Sequence, residues 1–332
     1  MRRYPAPVRI LLTGATGKLG NAVARMLAER GDEVVALVRD PAKAAELLPA
    51  GTPTAVGDVT DPDSLERAAD GVDAAINCMG IFEQWTKDVG IFDRVNAQGA
   101  FNVARAARLG GATRIVHTST FDVFEAPAGG TVSEARVATK DKGTAYERSK
   151  QLAERLVLGE GRHGIEVVIV NPSAIYGPGP WAEAGFDSLL RDAIRGRLPA
   201  APPGGMTTVW VEDAAAAHVA ALDRGRAGER YIVADGFATI PEICEVAVAE
   251  AGRGRVPRRI PVAAAELLAR GSEGLARLAG VKPILGRGQL HFLLWQARAD
   301  SSKAREELGI EPLDWREGIA RTVRWMIETG RV

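Results

Sequence analysis

The chain has 332 residues, 46% of them hydrophobic and 25% charged, a globular composition that excludes a disordered, collagenous or coiled-coil protein. Its 42 Lys+Arg balance 42 Asp+Glu, which removes the whole-chain electrostatic case for nucleic acid or an anionic membrane as main partner and leaves only local basic clusters. Two isolated cysteines, Cys78 and Cys244, and four histidines without ligand spacing provide neither a disulfide framework nor a metal site, so no metal is expected.

From Val8 to about Val170, β-branched runs alternate with helical patterns, the rhythm of βαβ units. Strands are expected at Val8–Thr13, Glu33–Val38, Thr54–Val56, Asp73–Asn77, Arg114–Ser119, Glu166–Val170 and, after a gap, Tyr231–Val233. These suit one α/β, Rossmann-type doubly wound parallel sheet of about seven strands. The first crossover helix, Lys18–Glu29, carries Leu19, Val23, Met26 and Leu27 on one stripe and is followed by Gly31. Asp61-Pro62 reads as an N-cap with proline at the first helical position, and Phe92–Leu109 as the helix leading into the fifth strand.

Past Tyr176 the Pro/Gly-rich stretches Gly177–Pro180 and Pro199–Gly205 break the rhythm. The expected division is a dinucleotide-binding domain over residues 1–176, its sheet completed by segments near 206–235, and a smaller, mostly helical substrate-binding part over 177–332. Helices are expected at Phe186–Arg195, Pro241–Ala251, Val262–Ala279, Ala304–Leu308 and Trp315–Thr329. No stretch approaches the roughly 20 apolar residues of a membrane-spanning helix, and the start at Met1-Arg2-Arg3 enters a strand pattern without a signal-type apolar region. A cytoplasmic protein is therefore expected.

Directly after the first strand stands Thr13-Gly14-Ala15-Thr16-Gly17-Lys18-Leu19-Gly20. Glycines spaced three apart at a strand-to-helix turn let a pyrophosphate approach the backbone, and the positive helix end holds the anion. The second strand ends in Val38-Arg39. Val38 offers nothing to a ribose 2′-hydroxyl, whereas the Arg39 fork suits a 2′-phosphate, so NADP is expected, with NAD as the alternative.

With GxxGxxG, Gly57-Asp58-Val59, Asn77-Cys78-Met79-Gly80, Asn96, Thr118-Ser119-Thr120, Tyr146-xxx-Lys150 and Asn171–Pro178 in this order, the chain resembles an extended short-chain dehydrogenase/reductase of the NAD-dependent epimerase/dehydratase superfamily. Within it, Trp85–Asp88, Val168–Ser173 and Gly228–Ile232 are most similar to dihydroflavonol-4-reductase-like proteins, including the group labelled hopanoid-associated sugar epimerases. The resemblance implies that Asp58 and Val59 hold the adenine, that Asn77 to Gly80 line the cofactor and that Asn96 braces the site. It counts Thr13, Thr118 and Ser119 among the cofactor residues. It also implies that Lys150 bonds the nicotinamide ribose, that Thr120 takes the catalytic hydroxyl place with Ser119 supporting it, and that the protein is a homodimer through helices 92–109 and 146–158. The outer faces of those helices are not apolar enough to demand a dimer.

Tyr146 and Lys150, four apart at the start of a helical pattern, share one helical face, where a nearby ammonium favours the phenolate. Tyr146 then exchanges a proton with an alcohol or carbonyl while the nicotinamide carries the hydride. Asn171, Pro172, Ser173, Ala174 and Ile175 follow the sixth strand and are expected to close over the nicotinamide.

Substrate is the less legible part. Nucleotide-sugar enzymes of the family carry an Arg five residues before the Val of V-x-D; here the motif is Val211-Glu212-Asp213 and that position is Met206. The expected pocket edges Phe82, Trp85, Phe121, Tyr176, Trp181 and Trp210 suit a flat or apolar carbonyl or alcohol instead. A nucleotide-sugar epimerase or dehydratase with tightly held NAD is the second reading, and a dinucleotide-sensing regulator the third. His117 is read as a satisfied core residue. Arg253, Arg255, Arg258 and Arg259 are read as solvated loop charge, and the apolar segment 290–295 as substrate wall, dimer contact or core.

Overall fold

The computed structural model describes residues 7–82, 86, 88–180, 185–279, 283 and 285–332. Seven parallel strands form the central sheet: β1 (Arg9–Thr13), β2 (Glu33–Val38), β3 (Thr54–Val56), β4 (Ala74–Asn77), β5 (Arg114–Thr118), β6 (Glu166–Pro172) and β7 (Arg230–Val233). Their order is β7-β6-β5-β4-β1-β2-β3, so the direction of winding reverses between β1 and β4. Open sheets of this kind receive ligands at the carboxyl ends of the strands beside that reversal.

Near-continuous apolar strands are buried on both faces. On one side Leu12, Ile76, Val116 and Val168 pack against Val23 and Leu27 of the helix Lys18–Glu29 and Ala214, Ala217 and Leu222 of the helix Val211–Arg224. On the other, Leu11, Ala75, Ile115 and Ile169 meet Val103 and Ala107 of the helix Ala100–Leu109 and Ala153 and Val157 of the helix Ala145–Glu160. Each fully buried Leu or Ile contributes about 1.5–3 kcal/mol, which makes these two layers the frame on which the loops are mounted.

The cap at Asp61 is as expected: its carboxylate accepts from the backbone of Asp63 and Ser64 ahead of the helix Pro62–Ala68. A similar Asp40-Pro41 cap opens a short helix, Pro41–Leu47, that was not anticipated. The helix expected at Phe92–Leu109 begins at Gly90 and contains a π-type stretch, Asp93–Gly99, before its α-helical second half. The helix Val211–Arg224 was not anticipated because its run of alanines lacks a periodic contrast.

The remainder of the chain builds a third core from Tyr176, Phe186, Leu190, Trp210, Ile243, Trp315, Ile319 and Val323. The strand Ala174–Tyr176 pairs with Gly205–Trp210, which pairs in turn with Gly236–Thr239, so this small sheet lies apart from the central one. Among the described residues no helix is long and apolar enough to cross a membrane, and no group of His, Cys, Asp and Glu could hold a metal ion.

Candidate active site

β1 ends at Thr13 and the chain turns at once through the glycine loop. Gly14 has φ +72°, and a Cβ there would stand 2.8 Å from the backbone of Cys78 and Met79. A Cβ on Gly20 would stand 2.2 Å from the Gly14 carbonyl oxygen. Both glycines are required by close backbone approach, not by general flexibility. Gly17 is the N-cap and provides no side chain to the first-turn N–H groups, and that turn carries no acid, so the helix end is free for an anion. The cradle fits the pyrophosphate of a dinucleotide.

Lys18 does not turn toward this loop. Its ammonium donates to the Gly177 carbonyl and pairs with Asp187 at 3.1 Å, linking the start of the helix to the smaller part of the molecule. Thr16 lies partly exposed in the loop, while Leu19 is buried in the core. Arg39 is 84% exposed and stands 4.0 Å from Asp58, so its fork is open to a phosphate at the end of β2. Asp58 is occupied by the backbone N–H and hydroxyl of Thr60, and Val59 packs into the core below it.

Across the carboxyl edge, three polar side chains lie in register on adjacent strands. Thr13 donates to Asn77 Oδ1 at 2.6 Å, and Asn77 Nδ2 meets His117 Nδ1 at 3.1 Å. Burial holds His117 well below the usual imidazole range, and its Nε2 has no partner among the described residues, so the expected satisfied histidine is satisfied on one side only. Burial pushes the Cys78 thiol up to about 12, leaving it unreactive, and Met79 packs beside it against the core.

The helix Ala145–Glu160 starts with a reciprocal cap: Thr144 accepts from the Glu147 N–H while Glu147 accepts from the Thr144 N–H. That fixes Tyr146 in the first turn and Lys150 one turn on. Lys150 is buried and donates to the Thr118 carbonyl at 3.1 Å, and a Cβ on Gly80 would stand 3.1 Å from its Nζ. Burial lowers its pKa to about 8. That bond leaves two ammonium protons to donate elsewhere.

Thr120 lies against Tyr146, where its hydroxyl favours the ionised phenol. Yet burial, followed by the Asp122 and Glu147 carboxylates, raises the Tyr146 pKa above its ordinary value. The expectation of a lysine-favoured phenolate is therefore outweighed by desolvation in the protein alone. Asp122 was not singled out from the sequence. Thr120 Oγ1 donates to its carboxylate at 3.0 Å and accepts from its N–H, and burial pushes its pKa up to about 7. The Thr120-Phe121-Asp122 spacing of a hydroxyl turn was the available signal.

Asn96 sits in the π-type stretch and bonds three ways: it accepts from the Ile81 N–H at 2.7 Å and donates to the Ile81 carbonyl and to Ser149 Oγ. Asn171 Nδ2 donates to the Thr120 carbonyl at 3.0 Å and to Glu154. Pro172 ends β6, and Ser173, Ala174 and Ile175 follow as a loop and a short strand beyond it. Ser119 Oγ is buried with no partner among the described residues, an atom for a ligand to satisfy.

The aromatic pocket edges need correction. Tyr176 is completely buried, with its hydroxyl on Asp235 at 2.7 Å and its ring stacked on Phe186. Trp210 packs against Tyr176, and Phe121 is covered by Trp295 at 5.3 Å between ring centroids. These three belong to cores because each ring fills a gap between the small sheet, or the strand-end loop, and a C-terminal helix. Phe82 is 56% exposed; Trp85 and Trp181 lie outside the described residues. The segment 290–295 is a helix, Arg287–Trp295, that buries Leu290 and Leu293 and brings His291 against Gly143, next to the cap of the Tyr146 helix.

The sequence model of the NAD dependent epimerase/dehydratase family matches residues 10–234. The chain is 32% identical to "Sterol demethylase protein B" of Methylococcus capsulatus, over 97% of this chain and 99% of that one. It is 28% identical to a "Putative dihydroflavonol 4-reductase" of Synechocystis, over 97% and 95%. The crystal structure of gox2253 superposes with a TM-score of 0.78 at 30% identity, covering 98% of this chain and 99% of the other. With the glycine cradle, the strand-end hydroxyls and the Tyr–Lys helix turn at one sheet edge, the chain belongs to the NAD-dependent epimerase/dehydratase family and is an NAD(P)-dependent enzyme of the extended short-chain dehydrogenase/reductase type.

Proposed function

We propose that this enzyme is an NADP(H)-dependent reductase or alcohol dehydrogenase acting on an apolar carbonyl or alcohol, in which Tyr146 transfers the proton. The observation that carries the reading is the convergence at the carboxyl edge of β5 of Thr120, which follows the strand, with the helix turn of Tyr146 and Lys150, whose ammonium donates to the Thr118 carbonyl at 3.1 Å. A bound nicotinamide dinucleotide supplies or accepts the hydride.

Thr120, its hydroxyl proton turned from Asp122, holds the substrate oxygen beside the phenol. Tyr146, kept protonated by burial and by Asp122, gives its proton to that oxygen in the reducing direction and recovers it in the oxidising one. Lys150, cationic below about pH 8, favours the phenolate left behind and orients the ribose. Asn171 and Asn96 act as positioning residues, one fixing the Thr120 backbone and the other the helix that carries Tyr146.

Arg39, open and cationic at the end of β2, supports NADP over NAD. The side chain of Met206 packs with Leu189 and Cys244 in apolar clusters, leaving no cation at that place for a sugar diphosphate. The relatives' names, a sterol demethylase component and a flavonol reductase, agree with a polycyclic apolar substrate class.

The test is a panel of steroidal, aromatic and aliphatic ketones assayed with NADPH and NADH. Net NADPH oxidation with an apolar ketone supports the reading; turnover of UDP- or GDP-sugars by enzyme carrying tightly bound NAD, without net redox, overturns it.

A further inference from the structure

The helix Val262–Ala279 is mounted in an unusual way. It rests on the protein through Ala265, Ala269 and Ala276, while Val262, Leu267, Leu268 and Leu275 are 43%, 74%, 41% and 64% exposed. On a 3.6-residue turn, Leu267 lies opposite the alanines and Leu275 about 100° round from them, and the arc from Gly274 through Leu267 and Gly271 to Leu275 carries no charged residue. A surface helix of a soluble protein ordinarily turns its leucines to the core. Here the small residues face inward and the large apolar ones face out, which marks an interaction surface.

The charge around the helix states what kind of partner fits. Between residues 252 and 287 the sequence has eight Lys/Arg against two Asp/Glu, in a chain that is neutral overall. Arg253, Arg255, Arg258, Arg259 and Arg270 are all exposed, and one of the two acids, Glu273, is already paired with Arg287 at 2.8 Å. Arg258 and Arg259 end a short strand only three residues before Val262, within about 10 Å of the helix start by chain length alone. A second copy of this chain is a poor occupant, because a two-fold interface brings each patch onto its own image and sets like charge against like charge.

We infer that the helix Val262–Ala279 and the arginines leading into it dock the enzyme on an anionic lipid bilayer, the leucines entering the headgroup–acyl boundary and the guanidinium groups pairing with lipid phosphates. Interfacial helices bind by this combination of apolar area and attraction to anionic lipid, without spanning the membrane. The inner side of the docked helix reaches toward the site. Ala265 and Ala269 pack on Leu285 and Leu290, and His291 of the same helix as Leu290 abuts Gly143, which precedes the Thr144 cap of the Tyr146 helix. Docking therefore bears, through these contacts, on the cap of the Tyr146 helix.

The experiment is sedimentation of the full chain with vesicles of phosphatidylcholine, with and without phosphatidylglycerol. The protein is expected to pellet with the anionic vesicles only, and to be released at roughly 1 M salt, where the Debye length falls to about 3 Å. The double variants Leu267→Ser/Leu275→Ser and Arg255→Glu/Arg258→Glu should each weaken binding about tenfold or more, with unchanged thermal melting because these side chains are exposed. Failure to pellet with either vesicle, equal binding to both, or wild-type binding by the leucine variant overturns the inference. So does a leucine variant that splits a dimer while the wild type ignores lipid. Binding is read without turnover, so this outcome is independent of the proposed reaction.

Discussion

The Asn96 amide donates to the Ser149 hydroxyl at 3.1 Å, tying the loop after β4 to the helix that carries Tyr146 and Lys150. Because Asn96 also holds both backbone groups of Ile81, it fixes the distance between the cofactor wall and the catalytic turn. Asn96→Ala leaves the partly buried N–H and C=O of Ile81 unpaired. It should lower stability by about 1–3 kcal/mol and reduce kcat more than KM, measured by chemical denaturation and steady-state kinetics on one preparation.

Tyr146→Phe removes the transferable proton and little else, since the ring keeps its edge-on contact with Phe92. Turnover of the best panel ketone should fall by roughly 10²–10⁴ while the NADPH dissociation constant, followed by nucleotide fluorescence, stays within about twofold. A variant that still turns over at the wild-type rate removes Tyr146 from the chemistry.

Arg39→Ala tests coenzyme choice. The ratio of NADPH to NADH affinity should drop by about 1–3 kcal/mol, with NADH binding almost unaffected, by titration calorimetry. Equal dissociation constants for the two coenzymes in the wild type would falsify the 2′-phosphate assignment.

Asp122 gives a pH-dependent outcome. Its carboxyl is raised to about 7 in the fold against about 3.9 in an unfolded chain, so the folded state binds the extra proton between those values. The stability it contributes is complete below the unfolded value and is lost as pH rises through 7. Relative to Asp122→Asn, the wild type should lose stability by about 1.4 kcal/mol per pH unit between roughly pH 5 and 6.5, in paired denaturation curves. A flat difference over that range would mean that the acid titrates normally. The same substitution removes a charge that raises the Tyr146 pKa, and should shift the alkaline limb of kcat to lower pH.

Gly14→Ala should be worse than an ordinary loop change. The methyl group would press on the backbone of Cys78 and Met79 at a φ of +72°, costing roughly 1–3 kcal/mol and abolishing dinucleotide retention on a nucleotide-affinity column.

The strands and the glycine turn were legible because a parallel sheet buried on both sides demands β-branched runs, and a strand-to-helix phosphate turn demands glycine at Gly14 and Gly20. The helix bounds at Lys18–Glu29 and Val262–Ala279 were readable from their punctuation as well. What could not be read was direction. Tyr176 and Trp210 look like substrate rings in a linear chain, and only the packing of Trp315 and Phe186 turns them inward. The π-type stretch around Asn96 has no sequence period of its own, and the raised phenol of Tyr146 depends first on burial and then on the Asp122 carboxylate, both tertiary facts.

Lys18 is one residue beyond the last small side chain of the phosphate turn, yet its ammonium is spent on Gly177 and Asp187. The shelf for the coenzyme and the lobe above it are thus joined by a cation growing out of the shelf itself. Parting the two at that corner would break this pair and uncover Asp187, a carboxylate that is 1% exposed.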